Sequence, residues 1–293
     1  MKSLFLIFFA TLLITACTVD EATYDYDLQG HRGARGLLPE NTIPSFLKAI
    51  DHGVNTIEFD LVVTADNQIL ISHEPWFDHQ ISTKPDGAPV TGEEQMELNI
   101  YQMTYEQTQQ FDVGMRGHAG FPDQEPMEVN KPLMRDAIIA IEAYVADQGL
   151  DPVYYNIETK SRPEWYGIYS PQPEEFSRLL YDELADLNIL DRVIIQSFDP
   201  ATLIAMREIN SGLVQAMLVY QEGQTIDRYV EILGYQPEIW SPSHELVTPE
   251  LVADAHERGM TIIPWTINER MEMIRLLDMG VDGIITDYPN RAP

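Results

Sequence analysis

"GMTIIPWTINERMEMIRLLDMGVDGIITD", residues 259–287, holds one complete structural period. Residues 260–265 and 282–286 are short, near-continuous apolar runs, as expected of parallel strands buried on both faces. Residues 269–279 between them carry a helical pattern. The same alternation runs back through the chain, with strands expected at 28–31, 54–61, 153–158, 192–197, 213–219 and 237–241. Helices are expected at 41–52, 133–148, 173–187, 200–210, 224–233 and 249–258. The boundaries are chemically marked: Thr248 reads as an N-cap, Pro249 as the first helical residue and Gly259 as a C-terminal stop. Eight strands alternating with helices over about 265 residues match an α/β fold of the (β/α)8 TIM-barrel type. A doubly wound open sheet is the alternative, because periodicity does not reveal closure.

Residues 75–131 interrupt the rhythm with Pro, Gly, Met and aromatic residues in no clear period. "NQILISHEPW" reads as a strand returning from the second barrel strand and opening an insertion near the active-site mouth. Long insertions after a barrel strand commonly build a substrate pocket.

The chain has 293 residues, 44% of them apolar, enough for a full core. Eighteen Lys and Arg stand against 47 Asp and Glu, giving a net charge of -29. Such a surface repels phosphate backbones, so nucleic acid is excluded as a partner class.

The first 17 residues are a separate object. One Lys precedes an apolar run from Leu4 to Ile14, too short to span a bilayer but suited to a signal peptide. Ile14-Thr15-Ala16-Cys17 resembles a bacterial lipobox, and Cys17 is the only cysteine. The expectation is a lipoprotein exported and anchored to the bacterial cell envelope through lipid on Cys17. A plain secretory signal with an incidental Cys is the alternative. Residues 18–27 read as an acidic tether, and residues 28–293 as the barrel domain.

Candidate chemistry sits at strand ends, where barrel enzymes place their sites. Alternation along "NTIEFDLVV" puts Glu58 and Asp60 on one face, and along "VYYNIETK" it does the same for Asn156, Glu158 and Lys160. Crowded carboxylates need a cation or protons, and an all-oxygen set favours one hard divalent ion, Ca²⁺ or Mg²⁺, over Zn²⁺. Each pair alone could equally be a solvated strand end. His31 and Arg32 follow the first strand and His73 the returning one. Two facing histidines can serve as base and acid across a phosphodiester, and an Arg fork suits phosphate oxygens. His52, His79, His118, His244 and His256 are expected on the solvated surface, and Arg35 as a rim charge.

Taken together, "HRGARGLLPENTIPSF", Glu58-Phe59-Asp60, "SHEP", "NIETK", "QSFDP", "PWTIN" and "GVDGIITDYP" resemble the glycerophosphodiester phosphodiesterase family, in the family's order from about Leu28 to Asn290. The resemblance implies a TIM barrel with a divalent metal that hydrolyses glycerophosphodiesters, small-molecule substrates, to sn-glycerol 3-phosphate and an alcohol. It implies His31 and His73 as the catalytic pair, Arg32 as a phosphate ligand, and Glu58, Asp60 and Glu158 as metal ligands. Glu40 would lie near the metal and Asn41 beside the phosphate. Lys160 would add positive charge, with Trp265 and Phe198 walling the glycerol carbons. The family often has Asp after its second histidine; here Glu74 and Pro75 follow His73, which bears on the pocket more than on the hydrolysis. A phospholipase acting on lipid head groups with the same site, and a non-catalytic lipoprotein that binds phosphate esters, are the rival readings.

Overall fold

The computed structural model describes residues 24–293, so the leader, Cys17 and most of the tether lie outside the described residues. The strands are β1 (Asp27–Gly30), β2 (Thr56–Val63), β3 (Ile69–Ile71), β4 (Tyr154–Thr159), β5 (Val193–Ser197), β6 (Val214–Val219), β7 (Ile239–Pro242), β8 (Thr261–Ile262) and β9 (Gly283–Thr286). All except β3 pair in parallel, in the order β8-β7-β6-β5-β4-β2-β1-β9. Across the remaining seam, Asp282 N donates to Ile262 O at 3.0 Å and Ile285 N to Pro264 O at 3.1 Å. The expected TIM barrel is thus present and nearly closed, and the open-sheet alternative fails.

The helices are α1 (Ile43–Asp51), α2 (Tyr105–Thr108), α3 (Met134–Gln148), α4 (Pro173–Asp186), α5 (Pro200–Ile209), α6 (Ile226–Leu233), α7 (Pro249–Glu257) and α8 (Arg270–Asp278). All except α2 follow a barrel strand and cover it. The outer core between barrel and helices includes Phe46, Phe59, Tyr155, Phe176 and Trp240, all buried. A separate apolar cluster of Ile194, Ala216, Ile239, Ile263 and Ile285 fills one side of the barrel interior. On the other side the interior is polar. Among the described residues no helix is long and apolar enough to cross a membrane.

Two boundaries depart from expectation for identifiable reasons. Helix α1 starts at Ile43, capped by Thr42, because Asn41 is held at φ 56°, outside helical space. Strand β8 ends at Ile262, two residues before Pro264, which has no N–H to donate to a ladder.

Strand β3 returns antiparallel on β2, as read from the sequence, pairing Leu61 with Ile71. The stretch beyond it is not shapeless. Phe77, Ile81, Val90, Ile100, Phe111 and Val113 bury a small core of their own against Val62 and Leu70. The Phe77 and Phe111 rings stack at 3.9 Å. This unit is tied over the barrel mouth by Gln124 Nε2 donating to Arg35 O at 2.8 Å and Asn99 Nδ2 to Ile168 O at 2.7 Å. Truncating Phe77 to Ala should open a cavity there and lower unfolding free energy by about 3–5 kcal/mol in a denaturant titration.

Candidate active site

The site forms where β1, β2 and β4 end. The chain leaves β1 through Arg32 at φ 52° and Gly33 at φ 84°, a turn that folds the Arg32 backbone against α1. A Cβ at Gly33 would lie 2.6 Å from Ser45, so only glycine fits. This turn points the main-chain N–H of Arg32 at Glu58 Oε2, 2.9 Å away.

Parallel pairing of β2 with β4 sets Asp60 beside Glu158 and Glu58 beside Asn156. Glu58, Asp60 and Glu158 are buried, each offering an oxygen within 4.8 Å of the others. Lys160 Nζ is 2.8 Å from Glu158 Oε1 and 3.7 Å from Asp60 Oδ1. Arg32 Nε is 3.3 Å from Asp60 Oδ2, and its Nη1 donates to Glu40 Oε1 at 2.9 Å. Asn41 Nδ2 donates to Asp60 Oδ2 at 2.9 Å, so the strained Asn41 backbone serves to aim an amide at a carboxylate.

Burial and the neighbouring Asp60 charge raise the Glu58 carboxyl well above its ordinary range. Burial likewise pushes Glu158 up to about 7 against the pull of Lys160. Burial would raise Asp60 too, but Lys160 and Arg32 outweigh it and hold it down. Around Glu40, Arg32 and Arg35 overcome burial and keep the carboxylate ionised. The donor set is all oxygen, dry and mutually repulsive, and it fits a hard divalent cation, which would relieve the repulsion.

The two histidines are built alike. His31 Nδ1 lies 2.6 Å from Asp287 Oδ1, and His73 Nδ1 lies 2.8 Å from Glu74 Oε1. A carboxylate only accepts, so each Nδ1 carries the hydrogen and each Nε2 is left with a lone pair. Burial lowers the pKa of both rings, partly offset at His31 by Asp287 and reinforced at His73 by Arg32 and Lys160.

His31, Arg32, Glu58, His73, Glu158, Phe198 and Trp265 line one cavity of about 180 Å³. Lys160 lines an adjoining groove of about 530 Å³, which shares His73, Phe198 and Trp265 with the cavity. Asp60, Glu40 and Asn41 do not line either space; they brace the wall from behind. Asn41 in particular donates its amide to Asp60. Phe198 meets Trp265 edge to face at 5.4 Å, forming an apolar corner with Leu218 and Ile285.

Three residues belong to the site without having been singled out. Asp287, directly after β9, orients His31 and is itself held by Asn268 Nδ2 at 2.7 Å; its position at a strand end was the available signal. Gln196 donates to Glu58 Oε1 at 2.7 Å and sits beside Glu158 in the strand register. Arg35, expected at the rim, pairs with Glu40 and lines the cavity. Of the five remaining histidines only His256 is exposed; the others are half-buried, and none lines the cavity.

Residues 31–291 match the model of the glycerophosphoryl diester phosphodiesterase family. A Silicibacter pomeroyi protein, solved as a candidate glycerophosphoryl diester phosphodiesterase, superposes with a TM-score of 0.81 at 30% identity, covering 92% of each chain. A glycerophosphodiester phosphodiesterase of Caldanaerobacter subterraneus is 28% identical over 88% of this chain and 93% of its own. The fold is also that of an Oleispira antarctica phosphodiesterase solved with its product sn-glycerol-3-phosphate, at 19% identity and a TM-score of 0.69 over 90% and 94% of the two chains.

Lys160 is the cation closest to the carboxylate cluster, so Lys160→Met in chelator-containing buffer should cost about 3–5 kcal/mol of unfolding free energy. Denaturant melts of the two proteins measure the difference.

Proposed function

The chain belongs to the glycerophosphoryl diester phosphodiesterase family, and from that premise we propose that it hydrolyses glycerophosphodiesters to sn-glycerol 3-phosphate and an alcohol. The observation that carries this reading is the pair of imidazoles, each braced at Nδ1 by a carboxylate and both lining one small cavity beside three buried carboxylates. One divalent cation, Ca²⁺ or Mg²⁺, is the cofactor we assign to Glu58, Asp60 and Glu158; when bound it would draw charge from the phosphate oxygens.

The chain's own residues do the rest. Arg32 cannot swing away, being held by Glu40 and Asp60, so it presents a fixed positive edge to the phosphate. Lys160 adds a second fixed cation from β4. One histidine Nε2 takes the proton of the attacking hydroxyl, and the other, entering the step as the imidazolium with a second proton on Nε2, gives that proton to the departing alkoxide oxygen. Asp287 and Glu74 keep the rings in the required tautomer and stabilise the imidazolium when it forms. The Phe198–Trp265 corner, with Leu218 and Ile285, offers an apolar wall to glycerol carbons, and the outer groove has room for the alcohol.

That groove carries Arg162, Glu164, Asp199 and Gln224 among its rings, which suits a hydrophilic alcohol better than acyl chains. This favours water-soluble diesters over the phospholipase reading. The non-catalytic reading has no observation on its side, since every catalytic part is present. We further propose that the enzyme is exported and held at the cell envelope by lipid on Cys17, a reading supported by the leader sequence.

A coupled glycerol 3-phosphate assay over a panel of glycerophosphodiesters should give product that chelator abolishes and added Ca²⁺ or Mg²⁺ restores. In the same assay His31→Ala should lower kcat by about 10²–10⁴-fold with the fold intact by circular dichroism. Product formation indifferent to chelator for every substrate would overturn the metal assignment.

A further inference from the structure

Lys131 is a buried lysine outside the catalytic cavity, at the point where the inserted segment rejoins the barrel. Only 5% of it is exposed, and no carboxylate among the described residues lies within ion-pairing distance, 4.0 Å. Its Nζ instead donates to Ser72 Oγ at 2.8 Å, with the Phe77 ring 5.6 Å away. Burying an ammonium against a hydroxyl and an aromatic face is unfavourable where an apolar side chain would fill the same space.

The contact has a direction. An ammonium has hydrogens and no lone pair, so Ser72 Oγ must accept from it. The serine hydrogen is then turned onto the carbonyl oxygen of Glu74, 2.5 Å away. Ser72 N donates to Asp60 O at 2.9 Å, and Ile100 N donates to Pro75 O at 2.9 Å, so the short loop from Ser72 to Pro75 is fastened at both ends. That loop carries His73 and also Glu74, whose carboxylate holds His73 Nδ1. Beside Lys131, Pro132 O accepts from Ile71 N at 2.9 Å, which locks the returning strand of the insertion to the departing one.

We propose that Lys131 is a positioning residue for His73: through Ser72 it fixes the loop that sets both the imidazole and its carboxylate partner. It does not touch substrate. The inference rests on the reading of His73 as catalytic, and the test separates the two.

Lys131→Met keeps the length and apolar stem while removing the donor. Its kcat on a glycerophosphodiester should fall about tenfold to a hundredfold, the effect of a misplaced catalytic group, with KM changed by no more than about threefold. Ser72→Ala, which removes the acceptor, should show the same split, and it carries the test if the Lys131 variant does not fold. In a His73→Ala background, Lys131→Met should cause no further loss, because a residue acting only through His73 has nothing left to position. Retention of kcat within about twofold by both variants, or an equal loss in the His73→Ala background, would overturn the proposal. Wild-type turnover by His73→Ala alone would overturn the catalytic reading of His73 instead.

Discussion

Everything at the top of this barrel answers to one electrostatic constraint: Glu58, Asp60 and Glu158 are buried within 4.8 Å of one another, and a fourth buried carboxylate, Glu40, is joined to Asp60 through Arg32. In a medium of low dielectric such a group is unfavourable unless positive charge or hydrogen-bond donors surround it. Arg32, Arg35 and Lys160 supply the charge, while the Arg32 N–H, Asn41 and Gln196 supply the donors. The left-handed turn at Arg32, the glycine after it and the unusual Asn41 backbone are local consequences of bringing those groups in. Glu58 and Glu158 are the members whose carboxyls burial still raises, and with Asp60 they form the set that a cation fits.

The histidines obey a second constraint that reinforces the first. Burial, with the positive charge gathered around the carboxylates, lowers the pKa of both rings, and each needs an acceptor on Nδ1 to define which nitrogen faces the cavity. Asp287 and Glu74 meet that need from opposite sides, one on a barrel strand end and the other on the inserted loop. The insertion is therefore more than a lid. Its stacked Phe77–Phe111 core packs with Val62 and Leu70, just beyond the loop that carries His73.

Much of this was legible in the sequence because its signals were local. Apolar runs of strand length marked eight buried strands, and alternation along β2 and β4 predicted that Glu58, Asp60, Glu158 and Lys160 would converge. What escaped was set by pairing between distant segments. Asp287 orients His31 across 256 residues of chain, and Gln196 reaches Glu58 across 138. Arg35 looked like a rim charge because nothing nearby in the chain shows that Glu40 is turned toward it. The insertion looked shapeless because its core is assembled from single aromatic and aliphatic residues in turns, without the repeat that helices and strands impose.

Below the carboxylates, Gln196 is the last rung of a buried ladder. Gln29 Nε2 donates to Asp27 Oδ2 at 2.7 Å, Asn156 Nδ2 donates to Gln29 Oε1 at 2.7 Å and Gln196 Oε1 at 3.1 Å, and Gln196 Nε2 donates to Glu58. A carboxylate at each end dictates the orientation of every amide between them. The smallest chemical change available to these side chains, amide to acid, keeps shape and volume yet turns a donor into another negative charge on a line that already ends in two. Interior positions that look most forgiving by size are thus among the least able to drift, and the barrel's mutational freedom lies instead in its apolar half, where one branched side chain can stand in for another.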